Sequence, residues 1–423
     1  MPSSVNGVDT LFVIISSALV LLMTPALALF YGGMVRRKNV LSTTMHSYAS
    51  IAIVSIQWVL IGYTLAFGPD FHGIVGGLNW FGLNGVGINP NPDYAATIPH
   101  QVYMIFQLMF AIITPALISG SYAERMRFSA FLAFTLLWTT FIYDPVAHWV
   151  WGTGGWIRNL GALDFAGGNV VHVSSGVSAL VAAIVLGKRR KGKAMKPHNL
   201  PMTVLGAGLL WFGWFGFNAG SALAVNGVAI NAFLTTNTSA AAAAIAWLAC
   251  EWFATKKPTV LGVASGAVSG LVAITPGAGY VTPLSAILIG LIGGSICFFS
   301  VSFMKQKLGY DDALDAFGCH GVGGTWGGIA TGIFASASVN QASADALKLG
   351  RLHLIGVQVL SIVAIYAYAA VVTFVILKLV NLVFKLRVSK DEEDSGIDIS
   401  VHGEEAYGDF ASEGGIDGKY ISA

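Results

Sequence analysis

Two histidines, His172 and His320, sit inside apolar runs of a 423-residue chain in which only 10% of residues are charged. Ionisable groups in such runs are costly in a membrane and face a cavity or one another. Imidazole titrates near neutral pH, so a facing pair suits general acid and base work and proton exchange. As neutral rings lining a pore, the same pair hydrogen-bonds a small polar solute and disfavours a bare alkali cation. A metal or haem role needs a third ligand or a macrocycle-sized pocket, and no Cys-rich or carboxylate set stands nearby. Small neighbours leave room: Ser174, Ser175 and Gly176 beside one histidine, Gly318, Gly321, Gly323 and Gly324 beside the other. The remaining seven differ. His46, His72, His100, His198, His353 and His402 fall at loops or span ends, where a surface imidazole is the ordinary explanation, and His148 ends the fourth span.

Two acids and a set of aromatics complete the chemistry. Asp164 and Asp315 each stand where a span begins, and the free N–H groups and positive dipole end of a helix suit a carboxylate there. Structural capping is the plain reading of both. A cap's oxygens are occupied, so Asp164 holds the site's shape and attracts cations only at long range. Phe106 and Phe110 share a helix face, Trp149 and Trp151 end the fourth span, and Phe215 and Phe217 lie in the glycine-spaced run from Gly213 to Ser221. Most tryptophans fit an interfacial belt, but glycines between aromatics let rings and backbone approach closely. A cation over aromatic faces gains roughly 0.5–2 kcal/mol, and a serine hydroxyl accepts a proton donor that K⁺ is not.

Membrane helices must position these groups. The chain is 55% hydrophobic, with mean hydropathy +0.70, far from the quarter-charged composition of soluble domains. Eleven apolar stretches of spanning length fall near 11–34, 43–67, 101–121, 128–150, 170–187, 200–218, 230–254, 259–275, 284–304, 313–335 and 353–385. The first lacks a basic segment before it and is followed by Arg36, Arg37 and Lys38, so it reads as a retained helix. Alternate loops carry 18 bases and the opposite loops three, Arg158, Lys348 and Arg351. By the positive-inside rule the N-terminus lies outside and the C-terminus in the cytoplasm. Spans one to five and six to ten make two sets of opposite orientation, an inverted repeat over about 10–190 and 200–335. Leu163-Asp164-Phe165-Ala166-Gly167 before His172 echoes Leu314-Asp315-Ala316-Phe317-Gly318 before His320. The eleventh span braces the halves. The expectation is therefore an all-α membrane protein of eleven transmembrane helices, a transporter domain over 1–387 in contact with membrane lipid.

Residues 388–423 form a separate soluble tail. Positions 391–423 hold ten of the 21 acids and one base, Lys419, leaving +11 on the first 390 residues. Cys250, Cys297 and Cys319 show no C-x-x-C spacing and exclude a disulfide framework. No G-x-x-x-x-G-K-[ST] loop appears, so direct ATP driving is not expected. Neither a cofactor, a metal nor a nucleic-acid partner is expected, and the chain does not read as an enzyme.

At these residues the chain resembles the ammonium transporter family (Amt/Mep/Rh), on its bacterial and archaeal Amt branch. The matching motifs cover nearly the whole chain in order. They are Phe30-Tyr31-Gly32-Gly33 with Lys38-Asn39, Ala123-Glu124-Arg125, Ala162 to Gly168, Lys196-Pro197-His198-Asn199-Leu200-Pro201, the run 213–221, Asp311-Asp312-Ala313-Leu314-Asp315, Phe317 to Gly321, and Gly396-Ile397-Asp398 with His402-Gly403-Glu404. The resemblance implies a plasma-membrane homotrimer with one narrow pore per subunit. It implies an external recruitment site of Phe110, Trp151 and Ser221 above Asp164, a phenyl gate of Phe110 and Phe217, and a pore lined by His172 and His320. It further implies ammonium, with methylammonium left open, as substrate, and a PII-type nitrogen regulatory protein docking at the cytoplasmic face. Deprotonation at the gate would pass NH₃ along the pore; net charge transfer through the histidines is favoured over neutral flux. Two other readings stand beside it: an ammonium sensor signalling through the acidic tail with little flux, and a membrane redox enzyme with histidine-ligated haem or metal.

Overall fold

A backbone without water must satisfy its own N–H and C=O groups, so long apolar runs fold as helices. The computed structural model describes residues 4–190 and 196–407; Lys191, Lys193, the tail acids Asp409, Glu413 and Asp417, and Lys419 lie outside the described residues. The helices run α1 Gly7–Met34, α2 Arg37–Phe67, α3 His100–Tyr122, α4 Phe128–Asn159, α5 Gly168–Leu186, α6 Leu200–Gly220, α7 Gly227–Thr255, α8 Val260–Ile274, α9 Pro283–Leu308, α10 Val322–Phe334 and α11 Arg351–Val383. Among the described residues nine of these, all but α8 and α10, are long and apolar enough to cross a membrane, against the eleven spans expected. The 15 residues of α8 reach about 22 Å, short of a hydrocarbon core of about 30 Å. The five glycines of α10, Gly323, Gly324, Gly327, Gly328 and Gly332, lower its hydropathy. The membrane part is all-α; between α2 and α3 lie two short hairpins, Asp70–Phe71 with Val75–Gly76 and Pro90–Asn91 with Ala95–Pro99.

Close backbone approach at two glycines sets the interior. On α6, a Cβ at Gly213 would come within 2.3 Å of Met23 Cγ on α1. On α5, a Cβ at Gly176 would meet the Gly321 nitrogen at 2.1 Å, so only glycine lets α5 reach the start of the tenth segment.

The two histidine-bearing segments share a local design. A π turn opens each, Gly168–Val173 with His172 and Phe317–Gly321 with His320. Asp164 accepts from the backbone N–H of Gly167, Gly168, Asn169 and Val170 at 2.6–3.2 Å. In the second segment the cap is Asp312, accepting from Ala316 and Phe317 at 3.1 and 2.7 Å. The expectation of Asp315 as that cap is corrected. Its carboxylate binds Lys305 instead, while its backbone, left-handed at φ 61°, keeps its carbonyl at the helix start, where it accepts from the Cys319 N–H at 3.0 Å. Asp164 and Asp312 each precede their histidine by eight residues, so the sequence echo aligned on Asp315 was three residues out of register.

The 33 residues of α11 span about 50 Å and tie the segments together. Gln358 exchanges hydrogen bonds with both backbone groups of Leu163 at 2.8 Å and donates to the Gly328 carbonyl at 3.0 Å. Ser361 accepts from Asn169, and Thr373 donates to Ser178, each at 2.8 Å.

At the basic end, the tail as far as Tyr407 is not separate. Glu393, 3% exposed, receives Arg387 at 2.8 Å and the Arg190 backbone N–H at 2.8 Å. Asn39 spends its side chain on Glu124 and Ile397 rather than capping α2. Asp398 caps it instead, accepting from Leu41 and Ser42 at 2.9 and 2.7 Å. Tyr407 meets His198 at 2.8 Å and lies under the Arg37 guanidinium. A dense acidic stretch therefore docks because its carboxylates find arginines and a helix N-terminus. Asp398→Ala is expected to lose about 1 kcal/mol, the worth of a helix cap, and to speed proteolysis after Val388; equal cleavage rates in limited proteolysis would count against this docking.

Candidate functional site

Helices α3 and α4, the α5 entry loop, the turn after α6 and the segments around Tyr94, Tyr280 and Asp345 build a cavity of about 580 Å³ that includes Tyr103, Gln107, Phe110, Trp151, Asp164 and Ser221 in its wall. The structure thus brings together the four residues assigned to recruitment. Trp151 stands edge-on to Phe110, ring centroids 6.0 Å apart at 83°. Its Nε1 donates to the Asp164 carbonyl at 2.9 Å, which fixes the indole and leaves its face open. The Ser221 hydroxyl donates to the Phe217 carbonyl at 2.8 Å, so its lone pairs remain to accept. Four backbone N–H groups occupy the Asp164 carboxylate, which shapes the cavity floor and contributes charge at a distance.

Below the cavity, Phe110 and Phe217 lie with centroids 4.3 Å apart and are 1% exposed. Nothing hydrated passes while they touch. Beyond them is a second, narrow space of about 20 Å³, lined among others by Leu27, Tyr31, His172, Trp214, Phe217 and His320. That is room for about one water-sized molecule.

His172 and His320 face one another across this space, Nδ1 to Nδ1 at 3.2 Å, with rings 5.2 Å apart and tilted by 23°. Two nitrogens at that distance share one proton, so one ring presents Nε2 as acceptor and the other as N–H donor. His172 Nε2 is buried without a protein partner. His172 also stacks on Trp214 at 5.5 Å and on Phe217 at 6.1 Å. Among the described residues no group of three or more His, Cys, Asp or Glu side chains is arranged to hold a metal ion.

Several expectations need adjustment. Phe215 stacks on Phe233 at 4.1 Å, away from the narrow space, and Phe106 supports Phe110 from behind at 5.0 Å. His46 and His100, read as surface imidazoles, are 4% and 5% exposed. His46 packs on Phe131 at 4.4 Å, and His100 bonds Tyr63 at 2.6 Å. Trp214, Tyr31, Gln107 and Cys319 line the two spaces without having been singled out. Of these, Trp214 lies in the glycine-spaced aromatic run and Tyr31 and Cys319 lie in family-matching motifs, whereas Gln107 carries no such signal.

Comparison with known proteins gives one consistent result. Residues 11–407 match the model of a family described as Ammonium Transporter Family. The chain is 62% identical over 401 residues to the ammonium transporter of Bacillus subtilis, covering 95% of this chain and 98% of that one. Among solved structures it is similar to Saccharomyces cerevisiae Mep2, with TM-score 0.85, 37% identity and coverage of 92% and 88% of the two chains. It is likewise similar to a structure described as a sensor Amt protein, with TM-score 0.86, 31% identity and coverage of 93% and 98%.

Capping by two buried acids makes a matched prediction. An asparagine in place of Asp164 turns an amide NH₂ toward backbone donors. Asp164→Asn and Asp312→Asn are each expected to cost about 2 kcal/mol or more, read as a lowered Tm of the purified protein; an unchanged Tm for either would remove that acid from its capping role.

Proposed function

The chain belongs to the ammonium transporter family and is a multi-pass, non-enzymatic ammonium transporter; from that premise we propose how its residues move the substrate. Ammonium and K⁺ are alike in size and charge, so selection must use the protons that only ammonium can donate. NH₄⁺ enters the outer cavity, rests against Phe110 and Trp151, and donates a hydrogen bond to the free lone pairs of Ser221. Asp164 adds long-range attraction. At the contact between Phe110 and Phe217 the ion must shed its water and one proton. NH₃ then crosses beside His172 and His320, which offer it one acceptor and one donor, and regains a proton on the far side.

The observation that carries this reading is the 3.2 Å contact between Nδ1 atoms directly behind closed phenyl rings. A cation in that space would find no room for hydration, and the one carboxylate in its lining, Asp315, is paired with Lys305. The same contact supports separate proton transfer along the imidazoles, hence net charge movement.

The wider assembly follows the family. We infer eleven membrane crossings in two inverted five-helix repeats plus α11, an external N-terminus and a cytoplasmic C-terminus in the plasma membrane, and a homotrimer. Exposed Ile230 and Ile245 on α7 and Leu284 on α9 are apolar surfaces suited to lipid or to neighbouring subunits. A PII-type regulator would meet the basic face and tail, and methylammonium would share the ammonium path. A sensing role has one observation in its favour, the tail docked through Asp398 on the start of α2; it would add to transport rather than replace it.

Reconstituted protein is expected to give a transient current after an ammonium jump and none after a K⁺ jump. His172→Ala with His320→Ala should abolish the ammonium current or admit K⁺. Ammonium entry that alkalinises the vesicle without current would replace the relay with neutral conduction; silence in both signals would favour sensing. Trp151→Leu removes one aromatic face and should weaken apparent ammonium affinity by roughly 2- to 30-fold, the equivalent of about 0.5–2 kcal/mol, measured from the concentration dependence of the same current.

A further inference from the structure

The inner end of the narrow space is bordered by a carboxylate. Asp315 lines that space together with Leu314, Ala316 and His320, yet 28% of its side chain remains exposed. It therefore touches both the lumen and the solvent at the basic end. Its backbone is left-handed, uncommon outside glycine, and its carboxylate is not needed at the helix start, where Asp312 already accepts from Ala316 and Phe317.

Carboxylates at a pore mouth form cation sites, and this mouth has four acids nearby: Glu124, Asp311, Asp312 and Asp315. Four tethered cations accompany them. Arg36 binds Glu124 at 2.9 Å, and Arg189 binds Asp311 at 2.6 Å with Arg125 at 3.6 Å on the same acid. Burial pushes the Asp311 carboxyl up, but hydrogen bonds and charge from Arg189, with Arg125 behind, outweigh it and hold it at about 2. The fourth cation is Lys305, at the end of α9, whose Nζ donates to Asp315 and reaches the Asp312 carbonyl at 3.4 Å. Three members of this set are guanidiniums, which bind carboxylates through a rigid fork. Lys305 alone offers a flexible primary ammonium, one quarter exposed, in contact with the acid that borders the lumen.

A primary alkylammonium on a carboxylate has the donor chemistry of ammonium itself. We propose that Asp315 is a binding site for a small monovalent cation, ammonium or K⁺, at the inner mouth, and that Lys305 occupies it as a tethered surrogate. The pairing keeps the mouth formally neutral, so cytoplasmic K⁺ and product ammonium do not settle where a neutral molecule must leave. This rests on the reading that NH₃ traverses the lumen with its exit at the basic, cytoplasmic end.

The test uses the full-length protein in liposomes loaded with either KCl or choline chloride, the latter too large for the site. Ammonium-driven signals of the unaltered protein are expected to be equal in the two salts. Lys305→Met uncovers the site, and internal K⁺ should then reduce the signal several-fold relative to choline; adding Asp315→Asn should restore equality. Equal signals for Lys305→Met in both salts, or the same inhibition in the double variant, would overturn the proposal. If Lys305→Met carries no flux, its Tm in detergent gives the same reading: K⁺ raises it relative to choline if the site is exposed, and an unchanged Tm overturns the idea. Failure of the NH₃ reading is seen separately, as a K⁺ current through the unaltered protein, and leaves the Tm comparison intact.

Discussion

The proposed path depends on holding two imidazoles 3.2 Å apart in a space that admits about one water-sized molecule. Neither ring is placed by its own contacts alone. Each rides on a π turn at the opening of a glycine-rich segment, and each turn is anchored by an acid eight residues earlier that gathers backbone N–H groups. Buried donors without partners cost about 1–3 kcal/mol each, so Asp164 and Asp312 make the unusual helix starts affordable within an apolar bundle. Gly176 then lets α5 approach the second turn until the rings meet. Gln358 and Ser361 on α11 secure the first of these segments, and Gln358 also reaches α10.

That arrangement separates charge from the path. Formal charges sit above the phenyl rings, at Asp164, and at the inner mouth, where arginines and Lys305 accompany the acids. Between them the lining is aromatic, aliphatic or imidazole, with the Cys319 thiol. A cation thus finds attraction at the outer surface and no compensation within, which favours the neutral form of a substrate able to lose a proton. K⁺ has no such form. In the proposed mechanism selectivity comes from proton chemistry, with pore size only excluding larger solutes.

Much of this was legible in the sequence, and the exceptions have physical causes. His172 and His320 stood out because charge is rare in apolar runs. Phe110, Trp151, Ser221 and Asp164 were placed by motif resemblance, and the structure gathers them around one cavity. Asp315 was misassigned because helix-start acids look alike in sequence; only the backbone hydrogen bonds distinguish it from Asp312, three residues before. The tail was read as separate because ten acids suggest solvation, whereas Glu393 and Asp398 are consumed by arginines and a helix end. His46 and His100 stand at span ends in sequence yet are buried, because a span end need not be a surface in three dimensions, where loops and neighbouring helices cover it. Tyr31 and Cys319 lie within family-matching motifs, but nothing in those motifs says that they line the narrow space, since facing a pore is a property of packing.

The Nδ1-to-Nδ1 contact also constrains any proton relay. Suppose His172 carries its proton on Nδ1 and shares it with His320; His172 then accepts at Nε2 while His320 donates from Nε2. A proton arriving at His172 Nε2 pushes the shared proton across, and His320 releases its own. Afterwards both tautomers are reversed, and His172 can no longer accept from that side. A second passage in the same direction needs a reset. Ring rotation is hindered, because His172 is buried and stacked against Trp214 and Phe217. The remaining route is a molecule in the lumen that both accepts and donates, removing a proton from one Nε2 and delivering one to the other. Ammonia and water both do so, and K⁺ does neither, so repeated passage of a proton needs an amphiprotic molecule in the lumen.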